Sequence, residues 1–468
     1  MELNDLIASV LTGHLDGFET LTHCERLSGG ASQETFRIGI VADGQPRTIA
    51  FRRSPGGVAD PSGEHGPGLM VEAELMRLAR AAGVPEPEVL VVLDGSEGLG
   101  QGFFMEWLDG EALGARIARH DSFADIRPSL ARQCGEILAR IHAIDLDATG
   151  LRDRLQARDT AEYVHEMWDM YKRLGTPQPM IDYTARWLLE NMPRNSRQTL
   201  VHNDFRNGNL MISPTDGVIA VLDWEVAFIG DPMRDLGWIC TNSWRFGVTE
   251  KPVGGFGDYE DLFAGYESVS GQRVDRDAVR FWEVFGSFWW ARGCLTMAER
   301  YRNGPDRTVE RPGIGRRSSE CQVDCVNLII PGPPGPQPAN EPVADLNMPR
   351  TEELLESVRD FLRQDIMDAT QGRTNFMARV AANSLDIVIR ENRMGPALHA
   401  HEEAGLRRIL GCDGTVETLR PRLVAALQDG SMPLDHPGLA QHLRETVVAQ
   451  VGIDQPVYSG YKTALAKA

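Results

Sequence analysis

Several features that would fix a protein's setting are scarce in this chain. No apolar run approaches the roughly 18 residues needed to cross a membrane. The opening "MELNDLIASVLTGHLDG" carries acids where a secretory leader carries bases. Both absences predict a cytoplasmic protein with no membrane partner. Seven cysteines, an odd number over 468 residues, suit reduced thiols better than a disulfide framework. Cys321 and Cys325 could share a helix face, but no second pair or histidine cluster supports a metal site there. Basic residues are also outnumbered, 48 Lys/Arg against 67 Asp/Glu, and the formal net charge of −19 argues against a nucleic-acid partner. Residues 350–468 are close to neutral, so nearly all of that acidity precedes them. No repeat of fixed period is visible.

What is present is enough for a sizeable core: 42% of residues are apolar and 25% charged, and the length suggests two or three domains. The proline-dense "IIPGPPGPQPANEP", Ile329 to Pro342, can continue neither a helix nor a central strand and reads as a linker. Beyond it, Leu354, Leu355, Val358, Phe361, Leu362 and Ile366 recur at helical spacing, with Thr351 at or near the N-cap. Further helices are expected near Asn375–Glu391, His401–Leu410, Val416–Leu427 and Leu439–Val451.

Before the linker, strand-like and helical patterns alternate. Two extended segments flank the turn "LSGGASQETF", and a third, "RTIAFRR", follows. Small residues in such a turn let backbone N–H groups approach a phosphate, although a tight hairpin explains Gly29 and Gly30 equally well. A helix is expected from about Val71 to Ala82, ended by Gly83 and Pro85, and a buried strand from Phe103 to Trp107.

The densest chemistry lies in "LVHNDFRNGNL", Leu200 to Leu210, where His202, Asp204, Arg206 and Asn209 interrupt an apolar run. A second apolar strand then ends in Asp223, Trp224 and Glu225. Carboxylates and an amide at strand ends are hard oxygen donors of the kind magnesium prefers. A further carboxylate, free of metal, can orient and deprotonate a hydroxyl, and with a nearby cation these are the parts phosphoryl transfer requires.

The order His-x-Asp-x-x-x-x-Asn followed by Asp-x-Glu resembles the aminoglycoside phosphotransferase and choline kinase superfamily, a branch of the protein-kinase-like fold, over roughly Leu21 to Leu328. The phrases "VLDWEVAFIGDPMRDLGW" and "GIGRRSSECQVD" resemble the branch linked to acyl-CoA dehydrogenases, and the tail resembles a small helical accessory subunit. The resemblance implies an α+β, two-lobed protein-kinase-like fold followed by a small all-α domain. Residues 1–108 would form an antiparallel-sheet N-lobe, 109–328 a mainly helical C-lobe, 329–349 the linker and 350–468 the accessory domain. It further implies ATP and Mg²⁺ as cofactors. Asp204 becomes the base, Arg206 the cation on the γ-phosphate, and Asn209, Asp223 and Glu225 the metal-binding group. Gly29, Gly30 and Ser32 would cover the phosphates, and the hinge near Glu106 and Leu108 would meet adenine. For the phosphate-binding ion pair Arg52 with Glu72 is favoured, with Arg53 and Glu74 as rivals. Asn203 stands where many relatives have glycine.

The same branch implies a hydroxyacyl-CoA acceptor, a 4-hydroxyacyl-CoA in particular, with Arg234, Arg292, Arg316 and Arg317 as cations for its anionic groups. An acyl-CoA dehydrogenase is the implied pathway partner, and a homodimer is compatible with the sequence. An aminoglycoside or amino-sugar acceptor would suit the acidic kinase part. A nucleotide-binding pseudokinase scaffold is the third reading, and the intact Asp204, Asn209 and Asp223 argue against it. His202 is expected to bond to backbone rather than carry a proton. Asp231 and Asp235 should cap a helix and brace a loop, and the aromatic run Phe281–Gly293 should pack in the core.

Overall fold

The computed structural model describes residues 2–27, 33–57, 66–194, 197–304, 306–337 and 349–466. The chain divides into two compact units. One comprises Met1–Thr160 and Arg194–Trp282, the other Ala161–Pro193 and Glu283–Ala468. Gly29, Gly30 and Ser32 lie outside the described residues, as does part of the expected linker.

The first unit opens with a five-stranded antiparallel sheet in the order β1 (Phe18–Arg26), β2 (Glu34–Ala42), β3 (Gln45–Arg53), β5 (Gln101–Glu106), β4 (Val89–Asp94). Strict alternation in β2 sends Phe36, Ile38, Ile40 and Ala42 to the buried face. The β2–β3 turn is Asp43-Gly44, with φ of 52° and 68°, the left-handed pair that a two-residue hairpin needs. Phe51 stacks between Phe36 and Phe104 at centroid distances of 5.9 and 4.3 Å. Ile7 and Leu11 of the Leu3–His14 helix join this core. The Leu69–Ala81 helix buries Leu69, Glu72, Ala73, Met76 and Ala79 at spacings of three and four. One buried face therefore carries a carboxylate inward at Glu72. Among the described residues two short strand pairs and loops follow, and the loop between β6 (Thr199–Val201) and β7 (Leu210–Ser213) holds His202 to Asn209.

The second unit is helical. In it the carboxy-terminal helices pack on helices that precede the linker. Gln428 Nε2 donates to Asp182 Oδ1 at 2.9 Å, Tyr458 Oη to Asp324 Oδ2 at 2.6 Å, and Asn327 Nδ2 to the Gly460 carbonyl at 2.8 Å. The two helices expected at 375–391 and 401–410 are a single helix, Gly372–Leu410, running through Pro396. Proline removes one N–H, but packing of Leu398 against Ala449 and Ile453 holds the helix beyond it. Arg350 caps the Thr351–Phe361 helix, with Thr351 beside it as the first helical residue. Phe281, Trp282, Phe285 and Phe288 are buried, as core packing requires. Among the described residues no helix is long and apolar enough to cross a membrane, and no cysteine is disulfide-bonded.

Candidate active site

The His202–Asn209 loop is held by one buried carboxylate. Asp235, on the Met233–Cys240 helix, accepts the His202 N–H on Oδ2 at 2.8 Å and the Asn203 N–H on Oδ1 at 2.7 Å, while His142 Nε2 reaches Oδ2 at 3.1 Å. Burial alone would raise the Asp235 carboxyl. The His142 hydrogen bond and charge, with the backbone donor, hold it below its ordinary value. This is the loop-bracing role the sequence suggested. Asp231 Oδ1 accepts the Met233 N–H at 2.9 Å and so caps the same helix.

His202 is fixed on both ring nitrogens. The Asp204 backbone N–H can only donate, so Nδ1 is the acceptor at 3.2 Å, and Nε2 carries the proton given to the Leu222 carbonyl at 3.1 Å. Burial lowers its pKa, which keeps the ring neutral in this setting. Asn203 adopts φ of 69°, left-handed backbone that glycine favours and asparagine tolerates better than most. Its Nδ2 donates to the Val226 carbonyl at 3.1 Å and its Oδ1 accepts from Arg234 Nε at 3.0 Å. The departure from glycine therefore preserves the turn and adds side-chain anchors.

Asp204 is surrounded by donors. Oδ1 accepts from Arg206 Nε at 2.9 Å and Trp238 Nε1 at 2.8 Å, and Oδ2 accepts from Asn209 Nδ2 at 2.6 Å. Arg206 also lies over the Trp244 ring, 4.4 Å from its centroid. Because Asn209 turns its NH₂ to Asp204, its amide oxygen faces the other way. The Leu222 N–H donates to the Asn209 carbonyl at 2.8 Å, so Asn209 and the adjoining Asp223 sit side by side at the ends of β7 and β8 (Gly217–Val221). Asp223 also has φ of 69°.

Arg52, at the end of β3, joins the sheet to this loop. Its Nη2 lies 3.3 Å from Glu72 Oε1, 2.5 Å from Asp223 Oδ1 and 3.4 Å from Glu225 Oε2. Burial opposes its charge, and the three carboxylates more than offset that, raising its pKa. Burial pushes the Glu72 carboxyl up to about 7 even with Arg52 beside it. The rivals are engaged elsewhere: Arg53 pairs with Glu34 at 2.9 Å and Glu74 with Arg154. Four carboxylates, Glu72, Asp204, Asp223 and Glu225, thus share two guanidiniums. Among the described residues no group of three or more His, Cys, Asp or Glu gathers as a metal cage. One amide and two carboxylates with a deficit of positive charge nevertheless suit Mg²⁺, which keeps water and phosphate in most of its positions.

The remaining expected residues are dispersed. Glu106 closes β5, and its carboxylate accepts the Glu88 N–H at 3.2 Å; Leu108 lies two residues beyond. Arg234 is fully buried, committed in part to Asn203. Arg316 pairs with Asp454 at 2.5 Å and Glu391 at 3.1 Å, and Arg317 with Glu320 at 3.2 Å, so both serve ion pairs in the second unit. Arg292, also in the second unit, contacts the Met167 sulfur at 3.5 Å and makes no ion pair among the described residues. Sequence reasoning did not single out Trp238, Trp244 or Asn207. The spacing of three between Asp235 and Trp238 puts both on one helix face, a signal present in "DPMRDLGW".

Residues 23–271 match the phosphotransferase enzyme family (APH), and residues 368–458 match a domain family of unknown function (DUF6285). Acyl-CoA dehydrogenase family member 10 of Mus musculus is 33% identical over 219 residues, covering 45% of this chain and 19% of that protein. Acyl-CoA dehydrogenase family member 11 of Gallus gallus is 29% identical over 222 residues, covering 45% and 27%. The chain therefore spans less than a third of the length of these curated relatives. A crystal structure from Ralstonia eutropha JMP134, assigned as an aminoglycoside phosphotransferase, superposes with a TM-score of 0.55 at 25% identity, over 69% of this chain and 96% of that one. With more than half its length matched and a two-lobed kinase-like fold bearing the loop just described, the chain belongs to the phosphotransferase enzyme family.

Proposed function

We propose that this phosphotransferase moves the γ-phosphate of ATP to an acceptor hydroxyl in the presence of Mg²⁺. The observation that carries the reading is the setting of Asp204, whose carboxylate is gripped by Arg206, Trp238 and Asn209 beside Asp223. Bound Mg²⁺, held by Asn209 and Asp223 with Glu225 alongside, would supply charge compensation for the phosphate oxygens. Asp204 then orients the acceptor hydroxyl and takes its proton. Arg206 steadies the transferring group with a guanidinium that stays charged at any working pH. Arg52, aligned by Glu72, meets the nucleotide phosphates, and the backbone near Glu106 and Leu108 meets adenine. An ADP-release assay tests this. Asp204→Asn should lose at least about a hundredfold in kcat, and undiminished turnover in that variant would sink the assignment.

For the acceptor we favour a hydroxyacyl-CoA, a 4-hydroxyacyl-CoA in particular, in cytoplasmic acyl-CoA catabolism with an acyl-CoA dehydrogenase as pathway partner. Support comes from the names of the curated relatives. Arg234, Arg316 and Arg317 contribute less than the sequence suggested, being engaged with protein groups. The Ralstonia eutropha neighbour and the excess of carboxylates favour an aminoglycoside acceptor as the second reading. Product mass analysis across hydroxyacyl-CoAs, free hydroxy acids and aminoglycosides decides between them. Arg292→Met should raise KM for a CoA thioester and leave KM for ATP unchanged.

A further inference from the structure

In the second unit, helices from either side of the proline-rich segment enclose a cavity of about 500 Å³. Those before it supply Met180, Leu295 and Ala298 to the wall, and those after it supply Leu398, Leu443 and Val447. The second set lies within the stretch that matches a domain family of unknown function, so that domain contributes one side of the cavity. Met180, Leu398, Leu443 and Val447 are buried, which makes the inner wall hydrocarbon. Folded interiors keep few voids larger than a water molecule, because a lining without partner atoms loses its packing contacts. A space of this size falls instead in the range that small-molecule pockets occupy.

The charges around it are unevenly matched. Every carboxylate in the lining is already engaged: Arg316 takes Asp454 at 2.5 Å and Glu391 at 3.1 Å, and Arg420 takes Glu402 through two nitrogens at 2.7 and 2.6 Å. Arg302, also in the lining, is exposed and forms no ion pair among the described residues. Beside it the Tyr301 ring lies under the Arg307 guanidinium, 5.6 Å from centroid to carbon, and Arg307 likewise has no carboxylate among the described residues. Unpaired guanidiniums at the entrance of an apolar cavity, in a chain of net charge −19, call for an anion from outside.

We infer that this cavity binds an aliphatic chain with an anionic head, the chain among Leu398, Leu443 and Val447 and the head on Arg302 and Arg307. A free medium-chain carboxylate and a medium-chain CoA thioester share that chemistry. The site takes no residue from the His202–Asn209 loop or from Asp223–Glu225, so it does not depend on the phosphotransfer reading.

Calorimetric titration of the full chain without nucleotide tests the inference, with decanoate and decanoyl-CoA as probes below their micellar concentrations. One equivalent per chain should bind. Acetate, which lacks the chain, and decanol, which lacks the charge, should bind at least about tenfold more weakly. Arg302→Gln should weaken the probe by a similar factor, while its melting temperature without probe matches that of the unmodified chain. Leu295→Trp, which fills part of the space, should abolish binding; if that variant fails to fold, Arg302→Gln decides alone. Tighter binding of decanoate identifies a free acid as the occupant and tighter binding of decanoyl-CoA a thioester, and either upholds the site. No binding of either probe overturns it, as does binding that decanol equals or that Arg302→Gln leaves unchanged.

Discussion

Trp238 donates its indole N–H to Oδ1 of Asp204 at 2.8 Å, from a helix whose Asp235 also anchors the loop carrying Asp204. The bond fixes the carboxylate that meets the acceptor. Trp238→Phe keeps most of the ring and removes the donor. It should lower kcat about tenfold while KM for ATP stays put, as steady-state kinetics on both substrates will show.

Asn203 allows a test of backbone against side chain. At φ of 69°, alanine is strained and also loses the bonds to Val226 and Arg234, whereas glycine loses only the bonds. Asn203→Ala should cost about 2–4 kcal/mol and Asn203→Gly about 1–2. Urea denaturation of both variants measures the difference, and equal losses would locate the whole effect in the side chain.

His442, in the second unit, supplies a pH dependence. Burial pushes its imidazole down to about 4, below the ordinary value for histidine. A folded-state pKa below the unfolded one means that the fold favours the neutral ring. The stabilisation is complete above about pH 6.5 and is lost as pH falls from there toward 4, by about 3 kcal/mol in all. Denaturation of the full chain and of His442→Gln between pH 7 and 4.5 should differ by this slope, over a background to which Asp182 and Glu72 contribute in the opposite sense.

The carboxy-terminal helices should prove indispensable to the second unit. Truncation before residue 343 removes Gln428 from Asp182, Tyr458 from Asp324 and Asp454 from Arg316. Each is a hydrogen bond or ion pair lost, at about 0.5–1.5 kcal/mol apiece, and the helices that make them no longer cover the surface beneath. The truncated chain should express as insoluble protein or melt well below the full chain.

These outcomes also mark how far the sequence could be read. His202, Asp204, Arg206 and Asn209 lie within eight residues, so their chemistry is visible as a string, and the Asp223–Glu225 pair follows on the next strand. The alternation in β2 and the Asp43-Gly44 turn foretell the sheet by local rules. Long-range choices were not legible. The Arg52–Glu72 pair is the favoured reading of the sequence, but excluding Arg53 depends on which face of β3 each side chain takes. Trp244 under Arg206 and Asn207 on the Gly254 carbonyl depend on segments some 40 residues away folding back. The break expected before His401 follows from proline's intrinsic cost, which packing around Leu398 overrides.

The three donors on Asp235 have a further implication. Asparagine has nearly the same outline as aspartate and would fit the cavity. Either orientation of its amide, though, would turn an NH₂ group against an N–H: that of Asn203, or those of His202 and His142 together. The pocket therefore selects by valence rather than by shape. One carboxylate oxygen exchanged for an amide nitrogen would unfasten the catalytic loop, the Met233–Cys240 helix and the Arg127–His142 helix in a single step.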